Sequence, residues 1–318
     1  MRIAILDGHG INPGDLDFSP LAALGELTVY DHTQQDQILE RSQGSEIVIV
    51  NKVKLNGEII TKLHDLSAIC LFATGYDNVD IAAAKQQGVA VYNAIGYGTE
   101  SVAQHVMALI LSHTNRVEAH HRSVISGDWS EKKQFSYSLH TVTELSGKTL
   151  GIIGYGRIGQ RVAELARVFG MEIIVPDRNK TYDHGEKCLP LEELFGTSDY
   201  ISLHAPLSDD TRHLINAKTL AQMQSHAILI NTGRGDLVQE TDLAHALNTE
   251  MIAGAALDVV STEPPDSANP SPLFSAKNCH ITPHMAWRSI EARKRLLNIT
   301  AANIEHHREQ THTENRVV

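Results

Sequence analysis

The stretch "LGIIGYGRIGQRVAELARVFG", residues 150–170, decides the fold. Leu150 to Ile153 is a buried-strand pattern, and Gly154, Gly156 and Gly159 form a GxGxxG turn. Ile158, Val162, Leu165, Ala166 and Phe169 then recur at the spacing of an amphipathic helix. The glycines alone say little, because glycine is common in turns; strand, turn and helix in register say more. Gly154 permits a tight turn, Gly156 lets the backbone approach a pyrophosphate, and Gly159 lets the helix lie close to the strand, with the helix N-terminus facing the phosphate charge. Asp177, eighteen residues beyond Gly159 at the end of "EIIVPD", can accept hydrogen bonds from ribose hydroxyls. That acid favours NAD, since the extra phosphate of NADP would meet a like charge, while the nearby cations Arg178 and Lys180 keep NADP as the alternative. An empty glycine turn or a flavin site are the competing readings, and the chemistry residues decide between them.

Working outward, short β-branched runs alternate with helical patterns. They are "RIAIL", "LTVYD", "EIVIV", "AICLFAT" and "VAVYN" in the first hundred residues, then "TLGIIG", "MEIIVPD", "YISLHAP", "AILINTG", "IAGAALDVV" and "HITPH". Such alternation predicts βαβ units and an α/β chain of two doubly wound parallel-sheet domains. Between the two sets, Thr99 to Ser126 is predicted as one long helix, with Val102, Val106, Leu109 and Ile110 on its apolar face and Ser101 with Gln104 as its start signal. "SGDWSEKKQFSYSLHTVTELSGK" reads as a surface connection. "SIEARKRLLNITAANIEHH" predicts one more helix, which must pack on a domain already built, so the expected division is 1–98 plus 287–318 for one domain and 99–286 for the other. The tail "HHREQTHTENRVV" reads as a solvated or frayed end.

The composition narrows the functional classes. With 318 residues, 42% of them hydrophobic, the chain can bury ordinary cores, and its net charge of -11 disfavours a general nucleic-acid or membrane-surface binder. No run approaches the roughly 20 apolar residues of a membrane span, and "MRIAILDGHG" reads as a strand rather than a signal peptide. Cys70, Cys188 and Cys279 form no CxxC pattern, which suggests free thiols in a reducing cytoplasm.

Three segments fall at or just beyond strands of the second set, where open parallel sheets hold their ligands: "NTGRGD" with Arg234, "LDVVSTEPP" with Asp258 and Glu263, and "TPHMAW" with His284. Each is unremarkable by itself, because loop residues are mostly solvated. Together they supply what reversible hydride transfer to a 2-oxo acid requires. The planar fork of Arg234 suits a substrate carboxylate and polarises the adjacent carbonyl. His284 can give a proton to the carbonyl oxygen and take it back in reverse, and Glu263 is the natural carboxylate partner for its ring. Metal chemistry is disfavoured: His280 and His284 are four apart on a strand interrupted by Pro283, no HExxH occurs, and His120 and His121 are expected to face solvent.

With those residues in place, the chain resembles the D-isomer-specific 2-hydroxyacid dehydrogenases, and within that family its glycerate dehydrogenase (hydroxypyruvate reductase) branch. The resemblance runs through "NKVKL", "ATGYDNVD", "YGTESVAQHVMALIL", "ELSGKTLGIIGYGRIGQ", "HAPLSDDTRHLI", "INTGRGDLV", "ALDVVSTEPP" and "ITPHMAW". It implies a flavodoxin-like substrate domain from both chain ends, an inserted Rossmann NAD-binding domain, and a cleft between them. It also implies Arg234, Glu263 and His284 as the catalytic set. Substrate contacts would come from Asn51, Lys52 and the amides of Thr74, Gly75 and Tyr76. The implied cofactor contacts are Thr99, Gly154, Tyr155, Gly156, Arg157, Ile158, Gly159, Asp177, His204, Ala205, Pro206, Thr211, Thr232, Gly233, Arg234, Asp258 and His284. A homodimer through the long helix is the implied assembly, with no nucleic acid, membrane or metal. Two positions depart from the family pattern: Val260 stands where an aromatic residue is common, and Pro176 precedes Asp177 where tyrosine is frequent. The expected activity is NAD-dependent interconversion of hydroxypyruvate and D-glycerate, with glyoxylate second. A D-lactate or aromatic D-2-hydroxyacid dehydrogenase is the near alternative, and a non-catalytic nicotinamide sensor the distant one.

Overall fold

Apolar residues fill both sides of the central strands, as a parallel sheet covered on two faces requires. In the computed structural model, which describes residues 1–177 and 186–318, the chain divides into two compact units, Met1–Gly98 with Trp287–Val318 and Thr99–Ala286.

The first unit is built on strands β1 (Arg2–Ile5), β2 (Glu26–Val29), β3 (Ile47–Val50), β4 (Ala68–Leu71) and β5 (Ala90–Tyr92), ordered β2-β1-β3-β4-β5 and all parallel. This is the flavodoxin-type order. Alternation along the strands sends Ile3, Ile5, Ile47 and Ile49 to one face, against Leu296, Leu297 and Ile304 of the C-terminal helix Ile290–Glu309. Ala4, Leu6, Val48 and Val50 go to the other face, against Ile38, Ile59 and Ile60. The C-terminal helix is capped by Ser289, whose hydroxyl accepts the Ala292 N–H. Buried Arg293 ties it to the chain start, donating to both carboxylate oxygens of Asp15 at 2.6 and 2.7 Å and to the Ile11 carbonyl at 2.9 Å.

One expectation is overturned here: the tail is not frayed. Arg316 bridges Tyr92 in antiparallel fashion, Val317 N–H donates to the Val91 carbonyl at 2.8 Å, and Val91 N–H donates to Val318 at 3.1 Å. Asn93 N–H donates to the Asn315 carbonyl at 2.9 Å. The cause is β5 itself, an edge strand whose unpaired backbone groups would otherwise face water or another chain. The polar composition of the tail concealed this, because backbone pairing does not depend on side-chain polarity.

The second unit carries seven parallel strands, β6 (Thr149–Ile153), β7 (Glu172–Pro176), β8 (Lys187–Leu189), β9 (Tyr200–Leu203), β10 (Ile228–Asn231), β11 (Gly254–Leu257) and β12 (Cys279–Ile281). Their order is β12-β11-β10-β9-β6-β7-β8, so the chain leaves β6 toward one edge and returns to build the other from β9 onward. Among the described residues only β8 has no counterpart among the predicted strands; Lys187, Cys188 and Leu189 make no β-branched run. The predicted long helix is two, α1 (Thr99–Asn115) and α2 (Val117–Ile125), broken at Arg116 with φ +43°. A left-handed residue ends an α-helix. All four apolar positions that predicted the helix lie in α1, which starts at Thr99, two residues before Ser101. Helix α3 (Arg157–Val168) follows the glycine turn and buries Val162, Ala163 and Ala166 against Leu150 and Ile152.

All three cysteines are free, and burial pushes the Cys70 and Cys279 thiols up to about 12, which leaves them unreactive. Among the described residues no helix is long and apolar enough to cross a membrane.

Removing Glu314–Val318 takes away these backbone pairs together with the packing of Val317 and Val318. At roughly 0.5–1.5 kcal/mol for each hydrogen bond, we expect a loss of about 2–4 kcal/mol, read as a lower urea midpoint. An unchanged midpoint would show that the tail does not seal β5.

Candidate active site

Every strand of a parallel sheet delivers its following loop to the same edge, and a crevice opens where the strand order reverses. In Thr99–Ala286 that reversal lies between β6 and β9, and the loop after β6 is the glycine turn. Gly154 has φ +99°, and a Cβ there would sit 2.3 Å from the Ala205 nitrogen and the His204 carbonyl carbon of the neighbouring loop. Gly159 is equally confined, its added Cβ falling 2.3 Å from the Gly154 oxygen. Gly156 differs: a Cβ there would meet nothing within 4 Å. Helix α3 begins immediately afterwards at Arg157, so its first N–H groups have no intrahelical acceptor.

The residues on either side shape this crevice. Tyr155 donates its hydroxyl to Glu186, whose buried carboxylate also pairs with Arg167 at 2.6 Å. Burial and that carboxylate push the Tyr155 phenol up to about 12. Asp177 follows β7, is exposed, and donates its N–H to the Leu189 carbonyl at 2.8 Å. Arg178 and Lys180, on which the NADP alternative rested, lie outside the described residues. After β9, His204 donates its backbone N–H to the Ile153 carbonyl at 2.7 Å and sets its ring Nε2 2.8 Å from Ser202 Oγ. Burial pushes that imidazole down to about 4. Thr211 donates its hydroxyl to the Pro206 carbonyl at 2.7 Å, which holds the loop after Ala205.

After β10, buried Asn231 forms an Asx turn: its side-chain oxygen accepts the Gly233 N–H at 3.0 Å and its amide donates to the Arg234 carbonyl at 2.8 Å. Arg234 is exposed, with Nη1 3.0 Å from the Gly233 carbonyl. A Cβ at Gly235 would sit 2.1 Å from the Val260 carbonyl, so the loops after β10 and β11 touch. In the second of them Glu263 Oε1 accepts the Val260 N–H at 3.0 Å, while Oε2 lies 2.6 Å from His284 Nδ1. Glu240 braces the same loop, accepting the Ser261 N–H at 2.7 Å and the Ser271 hydroxyl at 2.5 Å.

His284 follows β12 with φ +50°, a conformation that side-chain-bearing residues seldom adopt. It is held from below by Asp258, which is only 1% exposed. The Asp258 backbone carbonyl accepts the His284 N–H at 2.8 Å, and its carboxylate accepts from Thr282 Oγ1, Met285 N and Ala286 N at 2.5, 2.9 and 2.8 Å. Arg234, Glu263 and His284 line one cavity of about 230 Å³ with Leu207, Val260 and Ser261. A volume below that of drug-sized pockets suits a small polar ligand.

In the first unit the expected ligand residues stand at adjacent strand ends. Asn51 and Lys52 follow β3, and their N–H groups donate to the two carboxylate oxygens of Asp7 at 2.7 and 2.5 Å. Thr74, Gly75 and Tyr76 lie shortly after β4, where Thr74 Oγ1 donates to the Ala94 carbonyl at 2.6 Å. Nothing in the local sequence signals Asp7, Glu240 or the carboxylate of Asp258 as braces, because each acts on residues remote in the chain. Asn231 did carry a signal, a polar residue at a strand end two positions before a glycine.

A dinucleotide fits the second unit on three counts: open space over Gly156, the start of α3, whose first N–H groups have no acceptor within the helix, and Thr232 Oγ1, buried without a hydrogen-bond partner among the described residues. Comparison with known proteins agrees. A family model described as D-isomer specific 2-hydroxyacid dehydrogenase, NAD binding domain, matches residues 107–286. The hydroxypyruvate reductase of Blautia hydrogenotrophica is 41% identical over 311 residues, 96% of each chain. The glycerate dehydrogenase of Methylorubrum extorquens is 40% identical over 281 residues, 88% of each. A structure of an acyclic imino acid reductase, Bsp5, with NADPH and D-Arg superposes with a TM-score of 0.85, covering 100% of both chains at 29% identity.

The two glycine environments separate stability from binding. The Cβ added in Gly156→Val meets no atom within 4 Å and the residue keeps its extended backbone, so we expect an unchanged melting temperature but at least about tenfold weaker NADH binding by fluorescence titration. Gly159→Ala should instead lower the melting temperature, at a cost of about 1–3 kcal/mol from overpacking. Normal NADH affinity in Gly156→Val would show that no pyrophosphate approaches there.

Proposed function

The chain belongs to the D-isomer specific 2-hydroxyacid dehydrogenase family, and from that premise we propose that it reduces hydroxypyruvate to D-glycerate with NADH, glyoxylate being a secondary substrate. The observation that carries this reading is the 2.6 Å contact of His284 Nδ1 with Glu263 in the cavity that Arg234 also lines. The nicotinamide, when bound, supplies the hydride that reduces the substrate carbonyl carbon. Arg234 takes the carboxylate of the 2-oxo acid in its fork and draws electron density from the neighbouring carbonyl. As that carbonyl is reduced, charge grows on its oxygen, and His284 delivers the proton from Nε2, since Nδ1 is engaged by Glu263. In the reverse direction Nε2 removes the hydroxyl proton. Glu263 fixes the ring through Nδ1, a need that a reaction without proton transfer would not have.

In the first unit the proposed substrate ligands are the amides of Thr74, Gly75 and Tyr76, with Asn51 and Lys52 near them. NAD is the proposed cofactor because the exposed carboxylate of Asp177 would repel a ribose phosphate. A homodimer is proposed through α1, α2 and the segment that follows, supported by the exposure of Val117 (71%), Ile125 (74%) and Phe135 (97%).

Steady-state assays with hydroxypyruvate, glyoxylate, pyruvate and phenylpyruvate, each with NADH and NADPH, test the activity. We expect the highest kcat/KM with hydroxypyruvate, and NADH preferred by at least about tenfold, or 1.4 kcal/mol. His284→Ala should lower kcat by about 10²–10⁴-fold while NADH binding persists. A maximum on pyruvate or phenylpyruvate would select the D-lactate or aromatic reading. Inertness on every acid would select a sensor, and full turnover in His284→Ala would remove the proton-transfer assignment. Light scattering should give twice the chain mass, and Ile125→Glu with Phe135→Glu should return a monomer; a native monomer would refute the interface.

A further inference from the structure

We propose that His105 is a positioning residue for the proton transfer assigned to His284, acting through Thr282 and the carboxylate of Asp258; this rests on the reading of His284 given above. Ser101 and His105 are four apart on α1 and therefore on one face of it, and both reach the loop after β12. Ser101 Oγ donates to the Ala286 carbonyl at 2.6 Å, and His105 Nε2 lies 3.0 Å from Thr282 Oγ1.

Hydrogen counting gives the second contact a direction. Thr282 Oγ1 has one hydrogen, and Asp258 Oδ1 lies 2.5 Å from it. An ionised carboxylate only accepts, so the threonine hydrogen points at Asp258, and His105 Nε2 must then donate to the threonine oxygen. The chain of donors thus runs from His105 through Thr282 to Asp258. Asp258 Oδ1, 3.6 Å from His105 Nε2, is fixed on the side where it also accepts the Met285 N–H, leaving Oδ2 for Ala286. Residues 282, 284, 285 and 286 are consequently all tied down around the left-handed backbone of His284. A non-glycine residue keeps such a conformation only when its surroundings over-determine it. From that backbone the imidazole meets Glu263, with Nε2 left for the substrate. Misplacement by about 1 Å can cost roughly 10²-fold in rate, so a loosened clamp should be felt in turnover.

A histidine that merely satisfied a buried hydroxyl would show the same contact, so the test needs readouts that fold stability does not move. His105→Leu removes the donor, His105→Gln keeps an N–H at similar reach, and Thr282→Val breaks the next link. With hydroxypyruvate and NADH, His105→Leu should lower kcat at least about tenfold, leave KM and NADH affinity within about threefold, and raise the solvent deuterium isotope effect on kcat. His105→Gln should recover most of the rate. The double variant His105→Leu/Thr282→Val should be no slower than the worse single, as expected for two links of one chain. Should His105→Leu fail to fold, Thr282→Val carries the same expectations. Unchanged kcat and isotope effect in either folded variant, or losses that multiply in the double, would overturn the proposal while an inactive His284→Ala leaves the proton-transfer reading standing. Full turnover in His284→Ala would overturn both.

Discussion

Seven parallel strands can be joined only by crossovers that bring the chain back to the same end of the sheet, so every strand of Thr99–Ala286 opens onto one edge. The loops carrying the glycine turn, His204, Arg234, Glu263 and His284 share that edge because of strand direction, although the residues are separated by up to 130 positions. At the reversal of the order between β6 and β9 the segments that follow leave for different faces of the sheet, Val162 and Ala166 packing in one core cluster and Ile215 and Leu220 in the other, and the glycine turn stands at that point. Tight contact does the rest. Gly154 against Ala205, and Gly235 against Val260, leave no room for a side chain, so neighbouring loops are in register to within a methyl group.

Four of these five loops are fastened by a buried polar side chain. Asn231 fastens the loop with Arg234, Glu240 the loop with Glu263, Asp258 the loop with His284, and Thr211 the loop beyond His204. The reason lies in backbone accounting. An irregular loop at a strand end has N–H groups that no ladder accepts, and each one buried without a partner costs about 1–3 kcal/mol. Carboxylates and carboxamides placed under the loops meet that need and, being directional, also fix conformation. The left-handed His284 shows the effect, since such a backbone costs on the order of 1–3 kcal/mol and is held by hydrogen bonds on both sides of it.

Much of this was legible in the sequence where the information is local. Strand, glycine turn and helix at 150–170 follow from periodicity, and Ala4 beside Ile3 and Ile5 shows why continuous apolar runs mean strands covered on two faces. What was not legible depends on pairing at a distance. The tail beside β5 is polar, and its order comes from the edge that it covers. Strand β8 is three residues long and exists through its register with β7. Arg116 breaks the predicted helix by one backbone angle that no side-chain pattern encodes. The candidate site divides in the same way: Arg234, Glu263 and His284 could be named from their chemistry, whereas the bracing parts of Glu240 and Asp258 emerge only when 21 to 28 residues of separation are closed.

Eighteen histidines make it necessary to say why one of them should move a proton. Burial and the stacked His280 push His113 down to about 4, and burial brings His204 to the same value, so both stay neutral near pH 7 and serve as fixed hydrogen-bonding groups. His105 is committed to Thr282. His226 is the instructive case, because it too meets a carboxylate, Asp199 at 2.9 Å. Burial works against that carboxylate, yet the Thr149 N–H, His226 and Lys148 hold it below its ordinary range. Asp199, Thr149 and His226, however, stand at the beginnings of β9, β6 and β10, the edge from which parallel strands start. Their pairing ties strand starts together. His284 and Glu263 make the same kind of pair where the strands end, beside Arg234 and the loops that fit a dinucleotide. An imidazole on a carboxylate is therefore no signature by itself, and strand direction is what separates a brace from a proton donor.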